Sequence, residues 1–124
     1  MPGPQAFNAQ VDGEGNFIVV GASKQADLDA TSSGNTQLVA AVSGKKIRVV
    51  GVVITNKGSS LITTKFQSST TDITASHGHA ANGGGYARTA SMGSFLFETV
   101  AGEALNFNLS AGGAVGCDVA YHEV

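Results

Sequence analysis

Apolar and polar residues alternate along this chain with a period of two, in short segments cut by turn residues. Leu105, Phe107 and Leu109 fall on one side of a segment whose other side carries Asn106 and Asn108. Val115, Cys117, Val119 and Tyr121 oppose Gly116, Asp118, Ala120 and His122, and Ile62 and Phe66 oppose Lys65 and Gln67. This is the signature of antiparallel strands with one wet face. No window repeats apolar residues at 3.6-residue spacing. Turn signals recur at Asp12-Gly13, Ser33-Gly34-Asn35, Ser43-Gly44, Asn56-Lys57-Gly58, Asn82-Gly83-Gly84-Gly85, Ala101-Gly102 and Ala111-Gly112-Gly113. The spacing predicts strands near 16–21, 36–42, 46–55, 61–68, 71–75, 86–90, 94–100, 103–109 and 114–123. The predicted fold is all-β: an antiparallel β-sandwich of the jelly-roll kind with an extended N-terminal arm.

One segment departs from simple alternation. In 46–55, Ile47, Val49 and Val53 form one row, and Val50, Val52 and Ile54 form another. A small sandwich has one inner face per strand, so the second row should meet another subunit, the N-terminal segment or a host surface. Val50, Val52 and Ile54 are therefore subunit-interface candidates. The first 35 residues hold both prolines, Pro2 and Pro4, and one strong strand phrase, Asn16-Phe17-Ile18-Val19-Val20. They read either as an arm gripping a partner through Phe7, Phe17 and Val19, or as a frayed terminus plus an edge strand. The expected division is an arm over 1–24 and a sandwich over 25–124.

Composition narrows the class. The chain has 124 residues, enough for one domain. Charged residues are only 13%, with 17 Gly and a net charge of −2. That balance argues against a coiled coil, a disordered polyelectrolyte or a nucleic-acid binder. No apolar run approaches the ~20 residues of a membrane span. The opening residues resemble no secretory signal, so synthesis in a cytosol is expected.

The candidate chemistry is thin. His77 and His79 form an HGH pair that could hold a metal if a third ligand arrived, or could simply decorate a polar loop. Cys117, the single cysteine, lies on an apolar row and reads as a core residue. The Asn82–Tyr86 run lacks the Lys-Ser or Lys-Thr of a phosphate loop and should serve a turn or a close backbone approach. Asp27/Asp29 and Asp12/Glu14 could hold a weak Ca²⁺, or stay solvated. Lys45, Lys46, Arg48, Lys57 and Lys65 form an acid-free window. If 46–55 and 61–68 pair as a hairpin, they make a basic area able to dock on an acidic protein surface; the alternative is lysines guarding strand ends. No catalytic, cofactor-binding or metal residue is expected, and no enzyme.

The phrases Thr36-Gln-Leu-Val-Ala-Ala-Val-Ser-Gly-Lys-Lys-Ile-Arg-Val, Gly102-Glu-Ala-Leu-Asn-Phe-Asn-Leu-Ser and Val119-Ala-Tyr-His-Glu-Val give residues 25–124 a further likeness. The chain resembles the small β-sandwich virion proteins of tailed bacteriophages, above all the capsid decoration (cement) proteins. The resemblance implies a jelly-roll-like fold and a homotrimer seated on the outside of an icosahedral head, where it clamps adjacent copies of the major capsid protein. It implies location on the virion after synthesis in the host cytoplasm, with no cofactor, nucleic acid or membrane involved. It carries no residue-by-residue roles; Phe7, Phe17, Val19, Lys46 and Arg48 are the capsid-contact candidates. The alternatives are a tail or fibre receptor- or glycan-binding module using the 76–93 loop, and a metal-dependent enzyme built on His77 and His79.

Overall fold

The computed structural model describes residues 23–124 in full. It also describes the backbone of two short strands, β1 (Ala9–Val11) and β2 (Phe17–Val19), which pair antiparallel with each other. Ten strands follow: β3 (Lys24–Ala30), β4 (Gly34–Val39), β5 (Ile47–Asn56), β6 (Ile62–Ser68), β7 (Thr71–Asp72), β8 (His77–His79), β9 (Gly84–Thr89), β10 (Phe97–Glu98), β11 (Leu105–Leu109) and β12 (Val115–Glu123). They build two antiparallel sheets packed as a sandwich, with no helix among the described residues. One sheet runs β3-β12-β5, with β9 and β10 sharing the far side of β5. The other runs β4-β11-β6, with β8 and β7 at opposite ends of the free side of β6.

The alternation seen in sequence sets the packing. Leu105, Phe107 and Leu109 from β11 meet Val115, Cys117 and Val119 from β12 inside the sandwich. Phe66 sits at the aromatic centre, its ring 4.7 Å from Phe97 and 5.2 Å from Phe107 between centroids. Burial of each such side chain contributes about 1.5–3 kcal/mol. The sandwich begins with β3, whose Ala26, Leu28 and Ala30 face this core. The side chains of Phe7, Phe17 and Val19 lie outside the described residues.

The two apolar rows of β5 have an internal explanation, which corrects the expectation of a surplus face. Tyr121 of β12 stands opposite Val49, but the preceding Ala120 stands opposite Gly51. Val50 is therefore an extra residue, a β-bulge. One added residue reverses which face every later side chain points to. Ile47 and Val49 point inward before the bulge, and Val52 and Ile54 point inward after it, at 3% and 1% exposure. Val52 and Ile54 are core residues and cannot form a subunit interface. Val50 is half-buried at the bulge itself. Of the later apolar residues only Val53 faces out, 47% exposed.

The supposed hairpin of 46–55 with 61–68 does not form either. β5 and β6 belong to different sheets. The basic window is dispersed accordingly: Lys57 pairs with Asp29, Lys65 with Asp72, and both Lys46 and Arg48 with Glu98.

The bulge makes adjacent positions unequal. Val52→Lys should cost more than about 3 kcal/mol, because an unpaired cation enters the core. Val53→Lys should change stability by less than about 1 kcal/mol. Urea denaturation of the two variants measures both. Equal losses would mean the register after Val50 is wrong.

Candidate functional site on the outer face of the β3-β12-β5-β9 sheet

With the inward positions spent on the core, the outward positions of this sheet fall into three rows that cross all four strands. The first row is Gln25, Ala120, Gly51 and Thr89. The second is Asp27, Asp118, Val53 and Ala87, and the third is Asp29, Gly116, Thr55 and Gly85. The face is graded from carboxylates on β3 to small apolar side chains on β5 and β9. Short side chains leave an open groove of about 380 Å³ between Gly51, Val53, Ala87, Thr89 and Ala120. A second hollow of about 280 Å³ adjoins it across Val53 and Asp118 and is lined by Asp27 and Asp29. Gly51 forms part of the groove because it lacks a side chain; a Cβ there would meet Ala120 and Thr89 at ordinary contact distances of 3.6 and 3.7 Å.

The acidic margin is only partly compensated. Lys57 Nζ reaches Asp29 at 2.6 Å, and the Gln25 amide donates to Asp27 at 2.9 Å. Asp118 stands directly opposite Asp27. Partial desolvation, then the Asp27 carboxylate beside it and Asp29 beyond, push the Asp118 carboxyl above its ordinary value. Like charges opposite one another on paired strands are unfavourable.

The other sequence candidates fall elsewhere. Lys46 and Arg48 share Glu98, at 3.5 and 2.9 Å, and the Arg48 guanidinium lies 4.5 Å over the Phe95 ring. Burial alone would raise the Glu98 carboxyl, but Arg48 and then Lys46 outweigh it and hold it below its usual range. These two residues are thus an ion-paired cluster rather than a free basic area. Cys117 is buried, and burial, then Asp118, pushes its thiol up to about 12. It stays a neutral core group.

The 76–93 region is not a free loop: it contains β8 and β9, one in each sheet. Its glycines permit a close approach, since a Cβ on Gly85 would collide with the Ile54 carbonyl. His79 is buried and its ring nitrogen is engaged by Thr64. No group of three or more metal-ligating side chains converges among the described residues. Asp12 and Glu14 lie outside them. Sequence reading misses the outer face because its acidic margin, Gln25, Asp27 and Asp29, belongs to β3, which the strand pattern does not predict.

The carboxylate pair has a pH signature. A carboxyl raised in the folded protein adds stability that is complete below its unfolded value of 3.8 and is lost as pH rises through the folded value. At pH 7 the ionised pair is a net liability, kept small by exposure. Asp118→Asn should therefore stabilise the protein at pH 7 by about 0.5 kcal/mol. The gain should vanish near pH 3. Thermal melts across that range check it; a loss of stability at pH 7 would contradict it.

No known protein family matches the chain, and no curated protein or solved structure is significantly similar to it, so the face stands on its own residues.

Proposed function

We propose that this chain is a structural protein of a virion, a decoration protein that attaches to the outside of a phage head through the outer face of its β3-β12-β5-β9 sheet. The observation that carries this reading is the graded face itself. A four-stranded sheet presents Val53 and Ala87 to the outside, beside the half-buried Ala120 and with Gly51 in the floor of the groove, and no described segment of the chain fills it. Open apolar faces of this kind mark protein contacts. The occupant is a basic protein surface, such as a Lys- or Arg-bearing patch on a shell subunit. Asp27, Asp29 and Asp118 favour such a partner and disfavour the same face of a second copy.

The strand order supports the jelly-roll form of the fold. β3 and β4, β12 and β11, β5 and β6, and β9 and β8 occupy matching places in the two sheets. Each pair is consecutive in sequence among these principal strands, as in a long hairpin wound into a barrel. Assembly as a homotrimer rests on the resemblance to decoration proteins. Its physical merit is effective concentration: three weak contacts on one rigid body hold far more tightly than one. Stabilisation of the shell would then come from contact area rather than chemistry. Phe7, Phe17 and Val19 remain the proposed holdfasts of the arm.

Particles purified on a density gradient from the cells that make this chain test the reading. The chain should band with intact heads at a fixed ratio to the main shell protein, while the folded Val53→Lys variant should stay in the soluble fraction. Equal attachment by both proteins, or a chain never found on particles, would overturn it. Light scattering of the free protein should give three times the 12.5 kDa chain mass; a single-chain mass would remove the trimer.

A further inference from the structure

The edge where β8 of one sheet meets β9 of the other holds a histidine in surroundings that favour its neutral form. His79 is 4% exposed. Its Nε2 lies 2.8 Å from Thr64 Oγ1 on β6. Its ring stacks on Tyr86 of β9, with centroids 5.6 Å apart and planes 22° from parallel. The His77 ring lies 5.4 Å from the same Tyr86. One tyrosine thus gathers two imidazoles, and the three rings bridge the two sheets.

The backbone around the ring is tied down by neutral groups. Asn56, fully buried at the end of β5, donates from its amide to the His79 carbonyl at 3.1 Å and to the Ser60 carbonyl at 2.9 Å. Its own side-chain oxygen accepts from the Gly58 N–H at 3.0 Å. Its backbone carbonyl accepts from the Gly83 N–H at 2.7 Å, which holds the turn between β8 and β9. These bonds fix the β8–β9 connection against β5 and hold the imidazole in its slot.

Among the described residues a charged imidazole has no acidic partner there. The titratable or charged groups at this seam are His77 on β8, Tyr86 and Arg88 on β9, and the neutral Cys117 thiol behind Tyr86 on β12. β6 offers the neutral Thr64 and β5 the neutral Asn56. Among the described residues no carboxylate acts on His79. Burial first, and then the neighbouring His77, oppose its protonation.

We propose that His79 is an acid-sensitive latch, whose protonation releases the β8–β9 segment, which crosses from one sheet to the other, and opens the seam between the sheets. This inference is independent of the shell-binding role. The direction follows from linkage. In the released segment His79 recovers the ordinary histidine value of 6.5, whereas in the closed seam it resists the proton. The closed form is therefore fully favoured above pH 6.5 and loses ground as pH falls. The opening constant rises by up to about tenfold per pH unit and levels off once the closed form also takes the proton.

Amide hydrogen exchange of the full chain at pH 7, 6 and 5, corrected for the intrinsic pH dependence of exchange, tests the latch. Peptides spanning 77–86 should open more at pH 5 than at pH 6, by up to about tenfold, while those in β11 should not change. His79→Gln should abolish the acid response, and His77→Gln should weaken it by removing the like charge. An acid response that is missing, uniform across the sandwich, or unchanged in His79→Gln would overturn the proposal. Should His79→Gln fail to fold, an NMR titration of the wild-type His79 ring decides: titration at or above 6.5 overturns the latch, and titration below 6.5 supports it.

Discussion

The extra residue at Val50 is the constraint on which the rest of the structure depends. An unbroken β5 with Ile47 and Val49 inward would turn Val52 and Ile54 to solvent and leave the upper half of the core unfilled. The bulge adds one residue and keeps Ile47, Val49, Val52 and Ile54 all inside. It also marks the point where the neighbour changes. The Val50 carbonyl accepts from the Ala90 N–H and the Val49 carbonyl from the Leu96 N–H, so the chain leaves β5 after β9 and returns as β10 on either side of the same step. The same shift places Gly51 on the outside, in the groove. Core and outer face are thus two consequences of one local irregularity.

Much of this was legible in the sequence, and the failures have distinct causes. Strands with strict alternation and strong β-formers, such as β11 and β12, read directly, inward row and outward row alike. β3 does not stand out as a strand, because Lys-Gln-Ala-Asp-Leu-Asp-Ala is poor in β-branched residues and rich in Asp. Its period of two (Ala26, Leu28 and Ala30 against Gln25, Asp27 and Asp29) was nevertheless complete. β8 has three residues, too few for any period to show. The bulge was invisible for a different reason. Two phases of inward residues on one strand look the same in sequence as two apolar faces, and only the partner strand tells them apart. The surplus row at Val50, Val52 and Ile54 was that ambiguity, resolved by Ala120 and Tyr121.

The outer face shows how cross-strand register assembles a surface from residues that mean little alone. Asp27, Asp118 and Val53 are far apart in sequence, yet pairing lines them up in one row. A face serving only solubility would more naturally mix the two signs of charge and carry long polar side chains. Here the carboxylates gather on one side with partial compensation from Lys57, while Lys46 and Arg48 are held apart by Glu98. That separation of sign is unfavourable within the isolated fold and favourable toward a basic neighbour.

β9 joins the two halves of the argument. Its inward Tyr86 packs against the core and stacks with His79, while the next residue, Ala87, faces outward into the groove. Among the described strands β9 pairs only with β5, and Tyr86 anchors its inner side. Any event that frees Tyr86 from the seam loosens the strand that supplies Ala87 and Thr89, and with it one wall of the groove. An apolar contact surface is only as firm as the strand beneath it. The neutral, buried state of one imidazole therefore supports a surface on the opposite side of the sheet, without touching it.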